Sequence, residues 1–184
     1  MRESDASVVS DVLVTADLMD ILSHGVQRIG RYINWVRAGS VNPRPTVKVV
    51  KDIGAVALMD ADSGLGHPAA LKAVSIATEK AKRFGVGVVG IFGSHHYGIA
   101  GYYSLRIAEE CLVGFSLTNS TPLVAYVNTV GKYLGTNPIA ISIPRRRGFL
   151  ILFDAATSVV PVGKVEIYSK TGRAVPEGWV MDAE

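Results

Sequence analysis

Apolar residues near the N-terminus recur with the period of an α-helix. A first helix is predicted from Ser4 to Leu22, and either Ser4 or Asp5 is expected to cap its exposed amides. The residues predicted to share one face of this helix are Val9, Leu13, Ala16 and Met19. The segment is therefore predicted to be an amphipathic helix.

A second helix is predicted over Gln27–Ala38, because apolar residues again return at helical spacing and Gly39 can supply a left-handed stop. Its apolar positions are Ile29, Ile33 and Val36, and its basic face carries Arg28 and Arg31. A proline-containing connection follows from Val41 to Pro45. Residues 1–45 are predicted to form an N-terminal helical arm, and residues 46–184 a separate α/β body.

The body shows short apolar runs separated by turn residues, which are typical of strands. The predicted elements are strands at Thr46–Val50 and Ala55–Met59, a helix from Pro68 to Gly85, a buried strand at Val86–Phe92, a loop at Gly93–Gly101, a helix at Tyr102–Leu112, and strands at Val113–Thr118, Ile139–Ile143 and Phe149–Phe153. The alternation of strand, helix and strand favours parallel pairing. An α/β fold with a mixed sheet is therefore predicted.

Composition and charge exclude several classes of protein. The 184-residue chain has a net charge of +3, and its one dense basic run, Arg145 to Arg147 before Gly148, is interpreted as a solvated hairpin turn. Zinc-finger spacing and basic-aromatic motifs are lacking, so no nucleic-acid partner is expected. The sole cysteine, Cys111, excludes an intrachain disulfide, and no apolar run suits a signal peptide or a membrane span. A cytoplasmic protein is expected.

Two adjacent histidines, His95 and His96, lie where a predicted buried strand ends and a helix follows. Loops at the carboxyl ends of parallel strands commonly bind ligands. A histidine there can act as a general acid or base, and its proton transfer complements a hydride transfer. Adjacent histidines on an extended loop point apart and no third ligand has useful spacing, so no metal is expected. One of the two is expected only to hydrogen-bond the loop.

A hydroxyl, an imidazole and a guanidinium are close together at Ser23, His24 and Arg28. The planar fork of an arginine can bind a carboxylate through two parallel hydrogen bonds. A helix-capping Ser23 and a surface Arg28 are the structural alternative. The segments 131–138 and 154–158 offer flexible backbone and small polar side chains, suited either to a ribose or phosphate or simply to turns. The glycine patterns of Rossmann and P-loop folds are lacking.

Several short segments form an ordered set of motifs. They are Ala16–Leu18, Ser23–Val26 with Arg28, Ser94–Gly98 followed by Ala100–Tyr103, Gly135–Ile139, Asp154–Ser158 and Gly178–Trp179. In this order, and over nearly the whole chain, they resemble the malate/L-lactate dehydrogenase family. That family includes malate, lactate, sulfolactate and ureidoglycolate dehydrogenases and cyclic-imine reductases.

The resemblance implies a three-layer, mixed-sheet fold like that of sulfolactate dehydrogenase and distinct from the Rossmann fold. It implies that residues 46–184 form a nicotinamide-binding body, incomplete at its C-terminus, and that the chain forms a homodimer. The implied reaction moves a hydride between a nicotinamide cofactor and a small 2-hydroxy acid, with malate or lactate expected first. NAD is the expected cofactor, and NADP is the alternative.

The resemblance also assigns roles to residues. His96, which directly precedes Tyr97 and Gly98, is implied to be the acid/base. Ser23, His24 and Arg28 would bind substrate, with Arg28 holding its carboxylate. The implied cofactor-binding residues are Ser120, Thr136, Asp154, Ala155, Ala156, Thr157 and Ser158. Lys164 is a weaker candidate, because a lysine at the end of an element is usually only solvated.

The chain departs from the family pattern in two respects. It has Thr129, Val130 and Gly131 where the family usually has a Gly-Gly pair before its Gly-Thr-Asn-Pro motif. Family chains also begin earlier and continue well beyond Trp179, so the chain is interpreted as truncated. A non-catalytic scaffold or subunit remnant is therefore the alternative function. The sequence leaves open the identity of the hydroxy acid and the choice between NAD and NADP.

Overall fold

A computed structural model of the protein describes residues 1–126, 128–129, 131–145 and 150–181. Two residues of the sequence analysis, Val130 and Phe149, lie outside the described residues. The predicted turn at Arg145–Gly148 also lies outside them, apart from Arg145. The described elements are α1 (Glu3–Leu18), short 3₁₀ turns at Leu22–His24 and Val26–Arg28, α2 (Ile29–Arg37), β1 (Lys48–Ile53), β2 (Val56–Gly64), α3 (Gly66–Phe84), β3 (Val88–Ser94), α4 (Ala100–Glu109), β4 (Gly114–Leu117), β5 (Ile139–Ile143), β6 (Ile151–Ala155) and α5 (Val162–Lys170). The sequence did not predict α5.

Helix α1 buries the predicted face but begins differently from the prediction. Its N-cap is Arg2, which makes no side-chain capping bond, so the prediction that Ser4 or Asp5 caps the helix is wrong. Both residues lie inside the first turn, where the carboxylate of Asp5 is near the positive end of the helix dipole. Of the predicted face, Val9, Leu13 and Ala16 are buried, whereas Met19 follows the last helical residue and is 36% exposed.

Helix α2 is turned so that a polar aromatic residue faces inward. Its buried side chain is Tyr32, whereas Ile29 and Ile33 are 44% and 45% exposed. Tyr32 packs in a cluster that includes Leu13 and Leu65. Tertiary packing therefore overrides the apolar repeat that predicted the helix, and it directs the Tyr32 phenol toward the interior.

The six strands form two three-stranded sheets. In the first, β2 pairs antiparallel with β1 and parallel with β3, so the sheet is mixed and the predicted parallel pairing is confirmed there. In the second, β5 pairs antiparallel with both β4 and β6. The strand-helix-strand order predicted that β4 would pair parallel with β3. That expectation is wrong, because the backbone of β4 bonds to β5 instead.

Strand β3 is less buried than predicted. Val88 and Phe92 are 52% and 48% exposed, so the prediction of a buried strand over Val86–Phe92 is wrong. Helix α3 packs against β3, but it covers only part of this small sheet. Gly85 ends α3 in the left-handed conformation, with φ of 82°, and so fixes the turn into β3.

The core joins the N-terminal arm to the body. One cluster combines Val12 and Ala16 of α1 with Ala70 of α3 and Tyr102 and Tyr103 of α4. A second cluster packs α1 against α2. The proposed domain boundary at residue 45 stays a prediction. No helix in the described part of the chain is long and apolar enough to cross a membrane.

We predict that Leu13→Ala lowers the free energy of unfolding by about 2–5 kcal/mol, because it leaves a cavity in the packed α1 interface. Leu13 is fully buried, whereas Leu18 on the same helix is 82% exposed. The matched control Leu18→Ala should therefore change stability by no more than about 0.5 kcal/mol. Urea denaturation measures both, and equal losses would contradict this account of the core.

Candidate functional site

Three imidazoles that are far apart in sequence meet at one place in the fold. His24 lies in the first 3₁₀ turn, His67 in the first turn of α3, and His96 in the loop after β3. The ring of His96 lies 5.5 Å from that of His24 and 6.3 Å from that of His67, measured between centroids. In the part of the chain that the structure describes, no group of three or more His, Cys, Asp or Glu side chains could hold a metal ion.

Two hydrogen-bonding groups contact the same ring nitrogen of His96. Its Nδ1 lies 3.1 Å from the backbone nitrogen of Gly98 and 2.8 Å from the Tyr32 hydroxyl. The Gly98 amide can only donate, so Nδ1 is an acceptor and the neutral ring carries its proton on Nε2. This tautomer is assigned from the hydrogen-bonding geometry. Burial, together with the positive charge of nearby groups, holds the pKa of His96 well below its usual range.

Glycine is required at the turn that brings this amide to His96. Gly98 has φ of 87°, a left-handed conformation that side chains disfavour. A Cβ at this position would also lie only 2.5 Å from Cγ1 of Val12. The loop is therefore shaped by its packing on α1 as well as by its own backbone.

His24 is held by its neighbour and by the ring of His96. Its Nδ1 lies 2.8 Å from Oγ of Ser23, and its ring is stacked on that of His96 with 22° between the planes. Burial, and secondarily the positive charge of Arg28, lowers the pKa of His24 to about 4. Ser23 makes no capping bond, so the predicted alternative of a helix cap is wrong.

Arg28 is buried and already bound to a carboxylate. Only 6% of the residue is exposed, so its alternative interpretation as a surface arginine is wrong. Its Nε donates to the carbonyl of Ser23 at 2.6 Å, and one terminal nitrogen donates to Glu166 of α5 at 3.1 Å. The other oxygen of Glu166 accepts a bond of 2.6 Å from Arg31. The two arginines therefore share the Glu166 carboxylate.

A cleft of about 440 Å³ borders this ion cluster. The cleft is lined by residues that include Arg28, Arg31, Trp35, Glu166 and Lys170. Three cationic groups face one carboxylate, so the cleft has an excess of positive charge. Such a lining suits an anionic small molecule.

Three of the predicted cofactor residues come together as a hydrogen-bonded cluster. Oγ of Ser120 lies 3.1 Å from Oγ1 of Thr136 and accepts the Thr136 amide at 2.8 Å. The backbone amide of Thr157 donates to the carbonyl of Thr136 at 2.9 Å. The loops after β4, before β5 and after β6 are tied together by these bonds.

Asp154 is engaged with the start of helix α4. Its Oδ2 accepts the amide of Gly101 at 2.7 Å, which satisfies one unpaired donor of the helix N-terminus. Burial raises the pKa of Asp154, although this hydrogen bond acts in the opposite direction. The carboxylate therefore supports the helix that follows the histidine loop.

In the described part of the chain, the remaining candidates make no hydrogen bond or ring contact with the three histidines. Ala155 and Ala156 are half-buried, and the hydroxyl of Ser158 donates to the carbonyl of Val160 at 3.1 Å. The ammonium of Lys164 lies 5.4 Å from the centroid of the Trp179 ring.

Sequence reasoning missed three residues of this site. Tyr32 was part of a helix interpreted only by its apolar and basic positions, and Glu166 lies in α5, which was not predicted. His67 directly precedes Pro68, the start of the predicted helix, and was not singled out. It is fully buried, and neither ring nitrogen has a hydrogen-bond partner among the described residues. Its ring meets that of Tyr32 edge-on, with centroids 5.3 Å apart.

Comparison with known proteins identifies the family. The sequence profile described as malate/L-lactate dehydrogenase matches residues 1–184. This chain belongs to that family. The malate dehydrogenase of Pyrococcus abyssi is 47% identical over 182 residues, which make up 99% of this chain and 50% of that protein. The chain spans about half the length of the curated relatives it matches.

Solved structures from the family share the fold. The sulfolactate dehydrogenase of Methanocaldococcus jannaschii is 40% identical, with a TM-score of 0.87, over 96% of this chain and 51% of that one. The malate dehydrogenase of Entamoeba histolytica is 38% identical, with a TM-score of 0.93, over 97% of this chain and 50% of that one. The expected sulfolactate-dehydrogenase-like fold with its N-terminal helical arm is thereby confirmed.

The buried histidines predict a loss of stability in mild acid. Burial lowers the pKa of His67 to about 3 and that of His24 to about 4, whereas in the unfolded chain both titrate near about 6.5. Below that pH both imidazoles bind a proton in the unfolded chain, whereas they remain neutral in the folded protein. The free energy of unfolding should therefore fall by about 1.4 kcal/mol per pH unit for each ring until its folded pKa is reached.

Urea denaturation between about pH 6.5 and about pH 4.5 measures this slope. His67→Gln should make it shallower by the contribution of one ring. The control Lys72→Gln, at an exposed position of the same helix, should keep the original slope because it removes no buried imidazole. An unchanged slope in His67→Gln would contradict the conclusion that the lowered pKa of His67 contributes to the pH dependence of stability.

Proposed function

We propose that this chain acts in the transfer of a hydride between a nicotinamide cofactor and a small 2-hydroxy acid, with malate or lactate as the first substrates to test. The observation that carries the proposal is a neutral His96 whose proton lies on Nε2, beside His24 and the arginine pair. A neutral imidazole can donate a hydrogen bond and then a proton to a substrate oxygen. Family membership supports the reaction class.

In this proposal His96 is the acid/base. During reduction of a 2-oxo acid, its Nε2–H donates to the carbonyl oxygen and protonates that oxygen as negative charge develops there. Oxidation runs this transfer in reverse, and the ring must then present an unprotonated Nε2 to the hydroxyl proton. His24 and Ser23 border the same space, and their mutual hydrogen bond fixes the His24 ring beside the substrate.

Arg28 is proposed to orient the acid, because a guanidinium can bind a carboxylate through two parallel hydrogen bonds. One terminal nitrogen of Arg28 already pairs with Glu166, which supports the proposal because the same guanidinium has the chemistry to hold a substrate carboxylate. Malate suits this site because a dicarboxylate would meet both Arg28 and the more exposed Arg31. A substrate carboxylate that used the same donors would have to displace Glu166 or share them with it.

The cofactor is proposed to lie along the loops that carry Ser120, Thr136 and residues 154–158. Their hydroxyls and short side chains fit a ribose or a phosphate. A Cβ on Gly135 would come within 2.4 Å of the Ser120 carbonyl oxygen, so the backbone approaches closely there. When bound, the nicotinamide supplies or accepts the hydride. NAD is preferred, following the family's malate and lactate enzymes, and NADP is the alternative.

A homodimer is proposed from the exposed faces of the second sheet. Phe115, Leu117, Ile151 and Phe153 are each 55–60% exposed on β4 and β6. Exposed apolar patches of this kind mark interaction surfaces. The cytoplasmic location stays a prediction.

The alternative function is a non-catalytic scaffold, which the pairing of Arg28 with Glu166 favours because that carboxylate occupies a donor that a substrate would need. Assays of malate, lactate and sulfolactate with NADH or NADPH, combined with titration of each nucleotide, separate the two. We expect saturable binding, tighter for NADH, and turnover of at least one acid. If NADPH bound at least tenfold more tightly than NADH, a difference of about 1.4 kcal/mol, the cofactor assignment would be reversed. A folded chain with no saturable binding would support the scaffold.

We predict that His96→Ala reduces turnover by about a hundred- to ten-thousand-fold, the usual contribution of a general acid or base. Nucleotide affinity should stay within a few fold, because the ring is not proposed to bind the cofactor. His95→Ala is the matched control, since His95 lies toward Trp35 with ring centroids 6.1 Å apart. Loss of turnover in His95→Ala instead of His96→Ala would show that the acid/base is wrongly assigned.

A further inference from the structure

We propose that Tyr32 is a positioning residue that delivers a proton to Nδ1 of His96, and takes it back, during hydride transfer at this site. The inference rests on the proposed function and deepens it. No motif predicted a role for Tyr32, which enters the site only because α2 turns its phenol inward. The single contact that motivates it is the 2.8 Å separation between the Tyr32 hydroxyl and Nδ1.

The two groups at Nδ1 are not equivalent. The Gly98 amide, at 3.1 Å, donates a hydrogen bond but does not release its proton. The Tyr32 hydroxyl can donate its hydrogen to Nδ1 or, when Nδ1 is protonated, accept one from it. Among the described residues, Tyr32 is thus the only hydrogen-bonding partner at Nδ1 through which the ring can exchange a proton.

His96 needs such a partner because of its tautomer. If neutral His96 gave up its Nε2 proton alone, it would become an imidazolate anion in a buried site. Transfer of the Tyr32 proton to Nδ1 at the same time keeps the ring neutral. The negative charge then resides on the phenolate oxygen of Tyr32 rather than on the imidazole.

The proton balance in the reducing direction is complete. The 2-oxo acid takes up a hydride from a dihydronicotinamide at C2, and its carbonyl oxygen becomes an alkoxide. The Nε2–H bond of His96 breaks as the alkoxide gains that proton, and the O–H bond of Tyr32 breaks as Nδ1 gains its proton. Nδ1 then returns its proton to the phenolate oxygen while solvent protonates Nε2, and the ring is back in its starting tautomer. Oxidation of the hydroxy acid runs these transfers in reverse.

The surroundings fit a phenol that briefly carries negative charge. Burial raises the pKa of Tyr32, which keeps it protonated at rest, while the positive charges of Arg28 and Arg31 act in the opposite direction. The charged or titratable groups that act on His96 are His24, His67 and the same two arginines, and none of them is acidic. The two arginines, which also pair with Glu166, therefore offset part of the cost that burial imposes on the phenolate.

The ring of Tyr32 is also held in place. It is only 4% exposed, packs 5.8 Å from the Trp35 ring, and is met edge-on by His67. These contacts fix the direction of its hydroxyl. They also allow Tyr32→Phe to keep the packing and remove only the hydroxyl.

The first measurement is the protonation of the His96 ring nitrogens, read by ¹⁵N NMR of the unsubstituted chain at neutral pH. It requires neither cofactor nor turnover, so it stands even if the proposed activity fails. We expect Nδ1 to be unprotonated and Nε2 to carry the proton. A protonated Nδ1 would overturn the proposal, because Tyr32 could not deliver a proton to it.

The second measurement is the kinetics of Tyr32→Phe, checked for folding by its circular dichroism and its Tm. We expect kcat to fall about tenfold or more, with KM for the acid within about threefold, because binding groups are unchanged and only proton delivery is lost. The matched control is Tyr102→Phe, whose hydroxyl bonds to Asp11 outside the site. Equal kcat values for the two variants, or a change confined to KM, would overturn the proposal.

Discussion

The arrangement of the site depends on the hydrogen bonding at one nitrogen, Nδ1 of His96. A buried imidazole is neutral, and its chemistry is decided by which nitrogen holds its proton. Here the Gly98 amide assigns the proton to Nε2. The left-handed backbone at Gly98 and its packing on α1 make that contact, so the fold of the loop determines the chemistry of the ring.

The N-terminal arm contributes as much to this site as the α/β body. It supplies Tyr32 and His24, which contact His96 directly, and Arg28, which binds Glu166 of α5. The arm is packed onto α3 and α4 through the core of α1. Core packing and site geometry are therefore coupled, and a substitution that loosens α1 would also displace the groups around His96.

Some parts of this site could be predicted from the sequence, and the reasons are local. The position of His96 between a strand and a helix, and the short spacing of Ser23, His24 and Arg28, are visible along the chain. Three residues could not be found in this way, because Tyr32, His67 and Glu166 belong to segments with no chemical motif of their own. Each reaches the site through a helix orientation that depends on distant packing.

The sequence by itself determined the succession of helices and strands apart from α5, the mixed α/β class and the resemblance to a family, because these depend on local periodicity and on short ordered motifs. Only the tertiary structure decided that the strands divide into two sheets and that Glu166 pairs with Arg28. It also decided which nitrogen of His96 is protonated. These features arise from contacts between residues far apart in the chain, where burial and hydrogen bonding select among arrangements that local patterns leave equally acceptable.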